Sequence, residues 1–523
     1  MKTNKQIDVL MVKAREHKTV YSEHIEDIRI GYLDSLLQGN GVTTYIMDFA
    51  FSASPCEADG IELTEFVRTA SPKIIIFIID KSPTNSPGYT LELLDSLSSA
   101  EEIKSIHITL YGNAQVGCFT YFQHHIDSVV LGEEYSALSL VQSVMSGSYP
   151  ENTNGIAYRN DQKAIVSNQA IQINSLDELP FPTRYALPST RQSQYAASIL
   201  SSRGCFGNCS FCYLRAKEKF LSQYAWKGRS AKNVVDEIEQ LYKQGITEFF
   251  FVDDEFIPYG EQGDVRVIEL SEEIKNRNLL IHYSIYSRTD CLTESIIKEL
   301  SSSGLYCVFL GVESFCQDVL NRYNKGLTVE RNLEAITLLK KYDIHIRLGM
   351  ILFDMDTTME ELGESISALQ SILSTKPELL FQSMFFSNML IPLLDTPSES
   401  YIKHNSQISS TSVGANAALQ TNYMRRSRNK NEVYKFANPQ VDLIYSCVDT
   451  MSEQLLQKCI EEENRFYLHG YQDKSMKWFS GVTEFSILQL SLINESIATG
   501  KTLDDCNKLV KRNIDMFCLD IAC

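Results

Sequence analysis

The segment RGCFGNCSFCY, residues 203–213, spaces three cysteines as C-x3-C-x2-C. Cys205, Cys209 and Cys212 directly follow a predicted strand, and Gly207 and Asn208 allow one loop to wrap a single centre. Soft thiolates select iron–sulfur clusters, zinc or copper. A structural zinc site needs a fourth Cys or His, usually from a second paired element, and the sequence offers no second pair. The loop therefore predicts a [4Fe–4S] cluster with one open iron, and zinc is the remaining alternative.

The cysteine loop follows the first strand of a long predicted alternation of strands and helices. Residues 195–395 contain six predicted β/α units, which favour a barrel or partial barrel with its chemistry at the carboxyl ends of the strands. Periodicity alone does not separate this arrangement from another open sheet. The predicted strands are 197–204, 248–254, 281–287, 306–313, 345–353 and 382–390.

A separate alternation fills residues 1–150. Its short apolar strands, such as KIIIFII (73–79), and intervening helices predict a doubly wound α/β domain of flavodoxin or Rossmann type. Ligands of such sheets bind at the carboxyl ends of the strands. Residues 151–194 are a predicted polar linker containing a hairpin-like stretch. Residues 396–523 are mainly helical in pattern and are expected to form a substrate-selecting cap.

The composition limits the partners. A formal net charge of −18 argues against general binding to nucleic acid or to an anionic membrane. No apolar run is long enough to span a bilayer, and the first residues lack the pattern of a signal peptide. We therefore expect a cytoplasmic protein. The C-terminal part contains a basic group, which consists of Arg425, Arg426 and Arg428. We expect it to be a solvated loop, and a contact with an anion or a peptide leader is the alternative.

The cysteine motif resembles that of the radical S-adenosylmethionine (radical SAM) superfamily, in which an aromatic residue, here Phe211, precedes the third cysteine. The resemblance implies that the open iron binds the amino and carboxylate groups of SAM. One electron, from a donor such as flavodoxin or ferredoxin, then cleaves the sulfonium bond. The resulting 5′-deoxyadenosyl radical abstracts hydrogen from a substrate.

The resemblance continues at the ends of later strands. FFFVDDEF (249–256), SRTD (287–290) and LGVES (310–314) resemble the family's second, third and fourth strand ends. These imply contacts to the SAM amino group, to its carboxylate and to its ribose or methionine part. The alternatives are purely structural roles, as helix caps for the acidic residues and in a surface salt bridge for the arginine. The candidate cofactor-binding residues are Phe211 (near the adenine), Asp254, Glu255 (with Asp253 close behind), Arg288, Glu313 and Ser314.

Two features depart from this pattern or extend it. FDMDTT (353–358) fills the fifth-strand slot, but it lacks the glycines and proline of the family's GxPGET-like loop, which puts the adenine contact there in doubt. The N-terminal domain resembles the cobalamin-binding class through VVLGEEYSALSLVQSV (129–144), GNAQVG (112–117) and the segment INSLDELPFPTRYAL (173–187). Cobalamin is therefore the implied third cofactor.

The cobalamin resemblance also has gaps. Some members carry D-x-H-x-x-G with an axial histidine, whereas AREHKT (14–19) keeps only His17, and Tyr135 replaces the second glycine of G-E-G-E. A domain that keeps the fold without the cofactor is the alternative.

The leading functional hypothesis is cobalamin-dependent methyl transfer to an unactivated carbon or phosphorus centre of a small-molecule or peptide substrate in natural-product or peptide biosynthesis. A non-methylating rearrangement, cyclisation, epimerisation or dehydrogenation is the first alternative. A tRNA-modifying methylthiotransferase fits less well, because it needs three more N-terminal cysteines and only Cys56 and Cys118 precede residue 150.

Overall fold

The chain forms a seven-stranded sheet with its helices, then a six-stranded sheet with its helices, and then a helical part. The predicted α/β architecture is confirmed. The structure is a computed structural model. It describes residues 7–14, 26–51, 58–79, 87–98, 101–112, 118–122, 125–148, 153–160, 165–170, 173–187, 196–214, 226–381, 386–391, 393, 396–405, 436–467 and 472–522.

The first sheet has the order β2-β1-β3-β4-β5-β6-β7 among the described residues. Its first five strands are parallel, and their order is the flavodoxin-like one, in which the ligand crevice lies at the switch between β1 and β3. The strands are Val9–Lys13 (β1), Thr44–Asp48 (β2), Ile74–Ile79 (β3), His107–Gly112 (β4), Ser128–Val130 (β5), Ile156–Arg159 (β6) and Ile165–Ser167 (β7).

Helices cover both faces of this sheet, which explains why strand β3 is an unbroken apolar run. One core joins the sheet to α2 and α3, and a separate core joins it to α1 and α5. Two cores on opposite faces are the defining property of a doubly wound domain. The helices are Ile28–Gly39 (α1), Asp59–Ala70 (α2), Pro87–Ser98 (α3), Cys118–Phe122 (α4) and Glu134–Met145 (α5).

The hairpin-like stretch within the predicted linker belongs to the first sheet. Strand β6 pairs antiparallel with β5, and β7 pairs antiparallel with β6. Single-sequence patterns predicted the hairpin but gave no information on which strand it would join.

The second sheet has the order β8-β11-β12-β13-β14-β15, with parallel neighbours throughout. Parallel strands that pair in chain order are the arrangement of a partial barrel. The strand order therefore distinguishes a partial barrel from another open sheet, which the periodicity of the sequence did not. The strands are Ala197–Ile199 (β8), Glu248–Phe251 (β11), His282–Arg288 (β12), Leu305–Glu313 (β13), His345–Met350 (β14) and Leu380–Phe381 (β15), and a two-residue ribbon pairs Ser202–Arg203 (β9) with Lys227–Gly228 (β10).

The helices between these strands begin at hydroxyl caps. Ser230, Thr293, Thr328 and Thr358 each accept a hydrogen bond from a backbone N–H of the first turn, which satisfies a donor that the helix leaves unpaired. The helices are Ala231–Tyr242 (α6), Glu261–Asn276 (α7), Glu294–Ser302 (α8), Gln317–Arg322 (α9), Val329–Lys341 (α10) and Met359–Leu373 (α11).

The last part is helical, as predicted, and shares one apolar core with the second sheet. No described helix combines the length and apolar character that crossing a membrane requires. The predicted strand 382–390 begins earlier, as β15, and residues 382–385 lie outside the described part. The helices are Pro397–Asn405 (α12), Pro439–Tyr467 (α13), Gln472–Ala498 (α14) and Leu503–Ala522 (α15).

Candidate active site

The cysteine loop lies at the carboxyl end of the second sheet, directly after β8 and β9. Gly204 has φ +85°, a conformation that glycine adopts without strain, and it turns the chain into the loop. The Gly207 amide N–H donates to Cys205 Sγ at 3.3 Å. A Cβ added at Gly207 would lie 2.7 Å from Arg288 Nη1 and 3.4 Å from Cys205 Sγ. A larger residue at 207 would therefore require the Arg288 guanidinium to move from this position.

The three thiols fit an iron–sulfur cluster. Burial raises the pKa of Cys205 to about 11 and that of Cys212 to about 12, so both are neutral until a metal displaces their protons. Arg288 Nη1 lies 3.9 Å from Cys209 Sγ and offsets the charge of bound thiolates. Among the described residues no group of three or more His, Cys, Asp or Glu is arranged to hold a single metal ion. The three cysteines come from one loop, which is the arrangement that the C-x3-C-x2-C spacing predicts for an iron–sulfur cluster.

A segment that the sequence analysis missed clamps the outer side of the loop. The Ser210 N–H donates to the Tyr323 carbonyl at 2.9 Å, and Asn324 Nδ2 donates to the Asn208 carbonyl at 2.7 Å. The Tyr323 ring also packs edge-on against Phe211, with centroids 5.5 Å apart. The Asn-Lys-Gly sequence at 324–326 indicates a turn, but nothing in one sequence indicates what the turn contacts.

Asp253 joins two neighbouring strand ends. Its carboxylate accepts hydrogen bonds from the N–H groups of Ser201 and Ser202, at 2.7 and 3.0 Å, and from the Ser201 hydroxyl. Its side chain is completely buried, and burial raises its pKa. All its described contacts therefore point into the protein, toward the chain that leads into the cysteine loop.

Asp254 ties together both ends of the cysteine loop. Its Oδ2 accepts from the Gly204 N–H at 3.0 Å, and its Oδ1 accepts from the Tyr213 hydroxyl. These two donors flank the three cysteines. The structure thus gives Asp254 a role in closing the loop, in addition to the predicted contact with SAM, which stays a prediction.

Glu255 links the end of β11 to the end of β12. It accepts from the Arg288 N–H at 2.8 Å, from the Ser287 hydroxyl at 3.2 Å and from the Ile257 N–H at 3.3 Å. Burial raises the pKa of Glu255 to about 7. Its carboxylate oxygens thus bridge two strands, and the predicted contact with SAM stays a prediction.

Arg288 lies beneath the cysteine loop. Its guanidinium pairs with Asp290 through two bonds of 2.9 and 3.0 Å, donates to the Lys325 carbonyl at 3.1 Å and stacks on Phe206 at 5.1 Å. The nearby Asp290 and the cysteines raise its pKa above its usual range, although burial acts to lower it. Arg288 is therefore buried beside the cysteine loop rather than in a surface salt bridge, and its predicted pairing with the carboxylate of SAM stays a prediction.

Glu313 and Ser314 end β13 in different directions. Glu313 has φ +64°, which is rare for a residue with a Cβ, and a register shift in the β13–β14 pairing occurs at this point. Its Oε1 accepts from Lys325 Nζ at 2.8 Å, and both side chains are largely buried. The Ser314 hydroxyl instead accepts from the Cys316 N–H at 3.0 Å, inside the barrel wall.

The fifth-strand loop carries no glycine-rich cradle. Asp354 accepts from Arg322 Nε at 2.9 Å and from the Thr357 hydroxyl at 3.1 Å, while Asp356 accepts from Tyr401 of α12 at 2.9 Å. Helix α12 also reaches the cysteine loop, because its Ser398 N–H donates to the Ser210 carbonyl at 3.1 Å. The helical C-terminal part thus contacts the candidate site directly.

The carboxyl edge of the N-terminal sheet faces the cysteine loop. Arg203, two residues before Cys205, binds Glu134 through two bonds of 2.8 and 2.7 Å and lies 3.1 Å from Glu133. Glu134 is the first residue of α5, after β5. Burial acts to raise the pKa of Glu134, but Arg203 holds it below its usual range. Neither residue was singled out as a partner of the other by sequence, because the contact spans 69 positions.

Several predicted features lie outside the described residues. These are His17, residues 113–117 of the glycine-containing turn, and the basic group Arg425, Arg426 and Arg428. The segments that follow β1 and β3 in the sequence, 15–25 and 80–86, are also outside them.

A family model and several known proteins match the part of the chain that contains the second sheet. The family described as the Radical SAM superfamily matches residues 199–369. An uncharacterized methyltransferase of Pyrococcus horikoshii, PH0819, is 29% identical over 246 residues, or 46% of this chain and 52% of that protein. The anaerobic magnesium-protoporphyrin IX monomethyl ester cyclase of Rubrivivax gelatinosus is 30% identical over 363 residues, or 64% of this chain and 60% of the cyclase. The match thus spans little more than half the length of these relatives.

Two solved structures are similar in fold. The cobalamin-dependent S-adenosylmethionine radical enzyme OxsB, with aqua-cobalamin and SAM bound, aligns with 98% of this chain and 84% of its own, with a TM-score of 0.65 and 17% identity. The radical SAM methyltransferase TsrM of Kitasatospora setae, with cobalamin and a [4Fe–4S] cluster bound, aligns with 72% of this chain and 72% of its own, with a TM-score of 0.56 and 16% identity. At these identities the likeness concerns the fold.

Proposed function

This chain contains a domain of the radical SAM superfamily, and on that premise we propose that the protein is a cobalamin-dependent radical SAM methyltransferase. The observation that carries the proposal is the Arg203–Glu134 ion pair. It holds the carboxyl edge of the doubly wound sheet, where such sheets bind ligands, against the loop of the three cysteines. A two-cofactor reaction requires this arrangement, because both cofactors must reach one substrate.

The chain's residues divide the work between them. Cys205, Cys209 and Cys212 hold the cluster, and Asp254 keeps the ends of their loop together. When bound, the cluster and SAM supply a 5′-deoxyadenosyl radical, and cobalamin supplies the methyl group. Arg288 and Lys325 lie near Cys209, each paired with a carboxylate, that of Asp290 and that of Glu313. In this position they offset the charge of the thiolates and orient the carboxylate of SAM.

Two other elements border the cysteine loop. Glu313, held by Lys325 at the end of β13, presents a carboxylate that suits hydroxyl and ammonium groups of a ligand. Helix α12 covers the outside of the cysteine loop through Ser398, which limits the access of water. We propose that the substrate is a small molecule or a peptide, that the electron donor resembles flavodoxin or ferredoxin, and that the protein is cytoplasmic.

A radical reaction without methyl transfer is the second candidate. It is favoured by the likeness to the cyclase of Rubrivivax gelatinosus, which at 30% identity covers more of the chain than the likeness to the methyltransferase of Pyrococcus horikoshii. The two candidates differ in whether a methyl donor is required.

Anaerobic reconstitution tests the proposal. The protein is loaded with iron and sulfide, with and without hydroxocobalamin, and then desalted. We expect about four irons and one cobalamin per chain, measured by iron assay and by corrin absorption. Protein that keeps its iron but loses the corrin would contradict methyl transfer and favour the second candidate.

A further inference from the structure

We propose that Arg203 is a positioning residue that couples the cysteine loop to the N-terminal sheet, so that loading the cluster orders the segment 128–137. This inference rests on the proposed function only in taking the three cysteines as the cluster ligands. It concerns how the two halves of the site act on each other. The segment 128–137 contains β5 and the first turn of α5.

The ion pair is built for fixed geometry. Both guanidinium nitrogens of Arg203 meet both carboxylate oxygens of Glu134, and a planar fork of this kind holds orientation as well as charge. The Arg203 side chain is 11% exposed and that of Glu134 is 1% exposed. The Arg203 guanidinium also lies 5.8 Å from the centre of the Tyr32 ring. Tyr32 belongs to α1, which is in the N-terminal domain together with Glu134.

A short and constrained path leads from the pair to the first cysteine. Only Gly204 separates Arg203 from Cys205, and its N–H is held by Asp254 at 3.0 Å. On the other side, Arg203 is paired with Lys227 in the β9–β10 ribbon. Because the backbone is held on both sides, a displacement of Cys205 on ligation is transmitted to Arg203 and from there to Glu134.

Other buried ion pairs join the same two parts of the chain without touching the cysteine loop. Arg184 pairs with Glu26 of the N-terminal part and with Glu237 of α6. Arg184 also donates to the Ser198 carbonyl on β8 at 2.7 Å. The Arg184–Glu26 pair is therefore a matched control for the loss of a buried interdomain ion pair.

The test measures hydrogen exchange of segment 128–137 in the full chain, before and after reconstitution with iron and sulfide. In the wild type we expect loading to slow exchange there by at least about fivefold, the lower end of ordinary coupling between sites. The variant Arg203→Met/Glu134→Leu removes both charges together, which buried pairs tolerate far better than the loss of one partner. With equal iron content, it should show less than about a twofold change.

Two further variants make the result decisive. Arg203→Lys keeps the charge without the fork and should lose most of the coupling even if the double variant does not fold. Arg184→Met/Glu26→Leu should keep the wild-type response. A wild-type response in Arg203→Lys or in the Arg203/Glu134 variant overturns the inference, and so does a wild type in which loading leaves exchange unchanged.

Failure of the proposed function gives a different result. Retention of hydroxocobalamin is measured on the same samples. A wild type that loads iron without retaining cobalamin contradicts methyl transfer, while the exchange measurement still decides the role of Arg203. A wild type that assembles no cluster contradicts both.

Discussion

The substitution Asp254→Asn tests how the cysteine loop is held closed. Asp254 accepts one hydrogen bond from each end of the loop, at the Gly204 N–H and the Tyr213 hydroxyl. The asparagine amide keeps one acceptor but turns an NH2 group toward the other donor. The shape is preserved, while one charge-assisted hydrogen bond is lost.

A hydrogen bond to a charged group contributes about 1.5–3 kcal/mol. At about 1.4 kcal/mol for each factor of ten, its loss shifts the opening equilibrium of the loop by about 10- to 150-fold. We therefore expect the cluster of Asp254→Asn to be lost to an iron chelator faster by about this factor. The assay is the decay of cluster absorption under anaerobic conditions after addition of the chelator.

A matched control distinguishes the loss of the Asp254 contacts from general destabilisation of the protein. Glu294 on α8 also accepts from a tyrosine hydroxyl, that of Tyr342 at 3.0 Å, but it is exposed and outside the loop. Glu294→Gln should leave the decay unchanged. Decay of Asp254→Asn at the wild-type rate would refute the closing role. If its SAM affinity alone fell, Asp254 would act through the predicted contact with the SAM amino group.

Three other substitutions probe neighbouring contacts. Glu313→Gln leaves the buried Lys325 ammonium without its carboxylate and should lower the free energy of unfolding by about 3–5 kcal/mol, measured by urea titration; an unchanged value would contradict the buried pair. Burial raises the pKa of Glu255 from 4.5 to about 7, so its stabilisation is complete below 4.5 and is lost as the pH rises through 7. Glu255→Gln should flatten that loss, and an identical pH profile would contradict the assignment. Asn324 has φ +50° and binds the Asn208 carbonyl, so Asn324→Ala and Asn324→Gly, which both remove the amide, should speed cluster loss relative to the wild type. Ala should do so more than Gly, because glycine relaxes the backbone, and wild-type rates in both variants would contradict the clamp.

The sequence predicted the parts of the site that are local. Three cysteines on one loop and acidic residues at a strand end follow from spacing and periodicity, and the structure brings Asp254, Glu255, Arg288 and Glu313 to the same edge of the sheet. What the sequence did not predict is which neighbour each side chain contacts. Asp254 meets the ends of the cysteine loop because β8 and β11 are adjacent, and this pairing is a property of the folded sheet.

The contacts of the site that the sequence did not predict join residues far apart in the chain. The contact of Arg203 with Glu134 and that of Asn324 with Asn208 join residues 69 and 116 positions apart. Neither follows from a helix or strand period, since those relate residues only a few positions apart. The strand order of the second sheet was also open at that level, because a barrel and an open sheet share one alternation of elements.

The most direct test of the central claim is the cleavage of SAM by the reconstituted protein with a one-electron reductant, followed as release of 5′-deoxyadenosine. We expect release by the wild type and by the variant Cys307→Ala, since Cys307 is a buried cysteine of β13 outside the loop. We expect no release by Cys205→Ala, together with loss of cluster absorption. A Cys205→Ala protein that has lost its cluster absorption and still cleaves SAM at the wild-type rate would contradict the assignment of SAM cleavage to a cluster held by these cysteines.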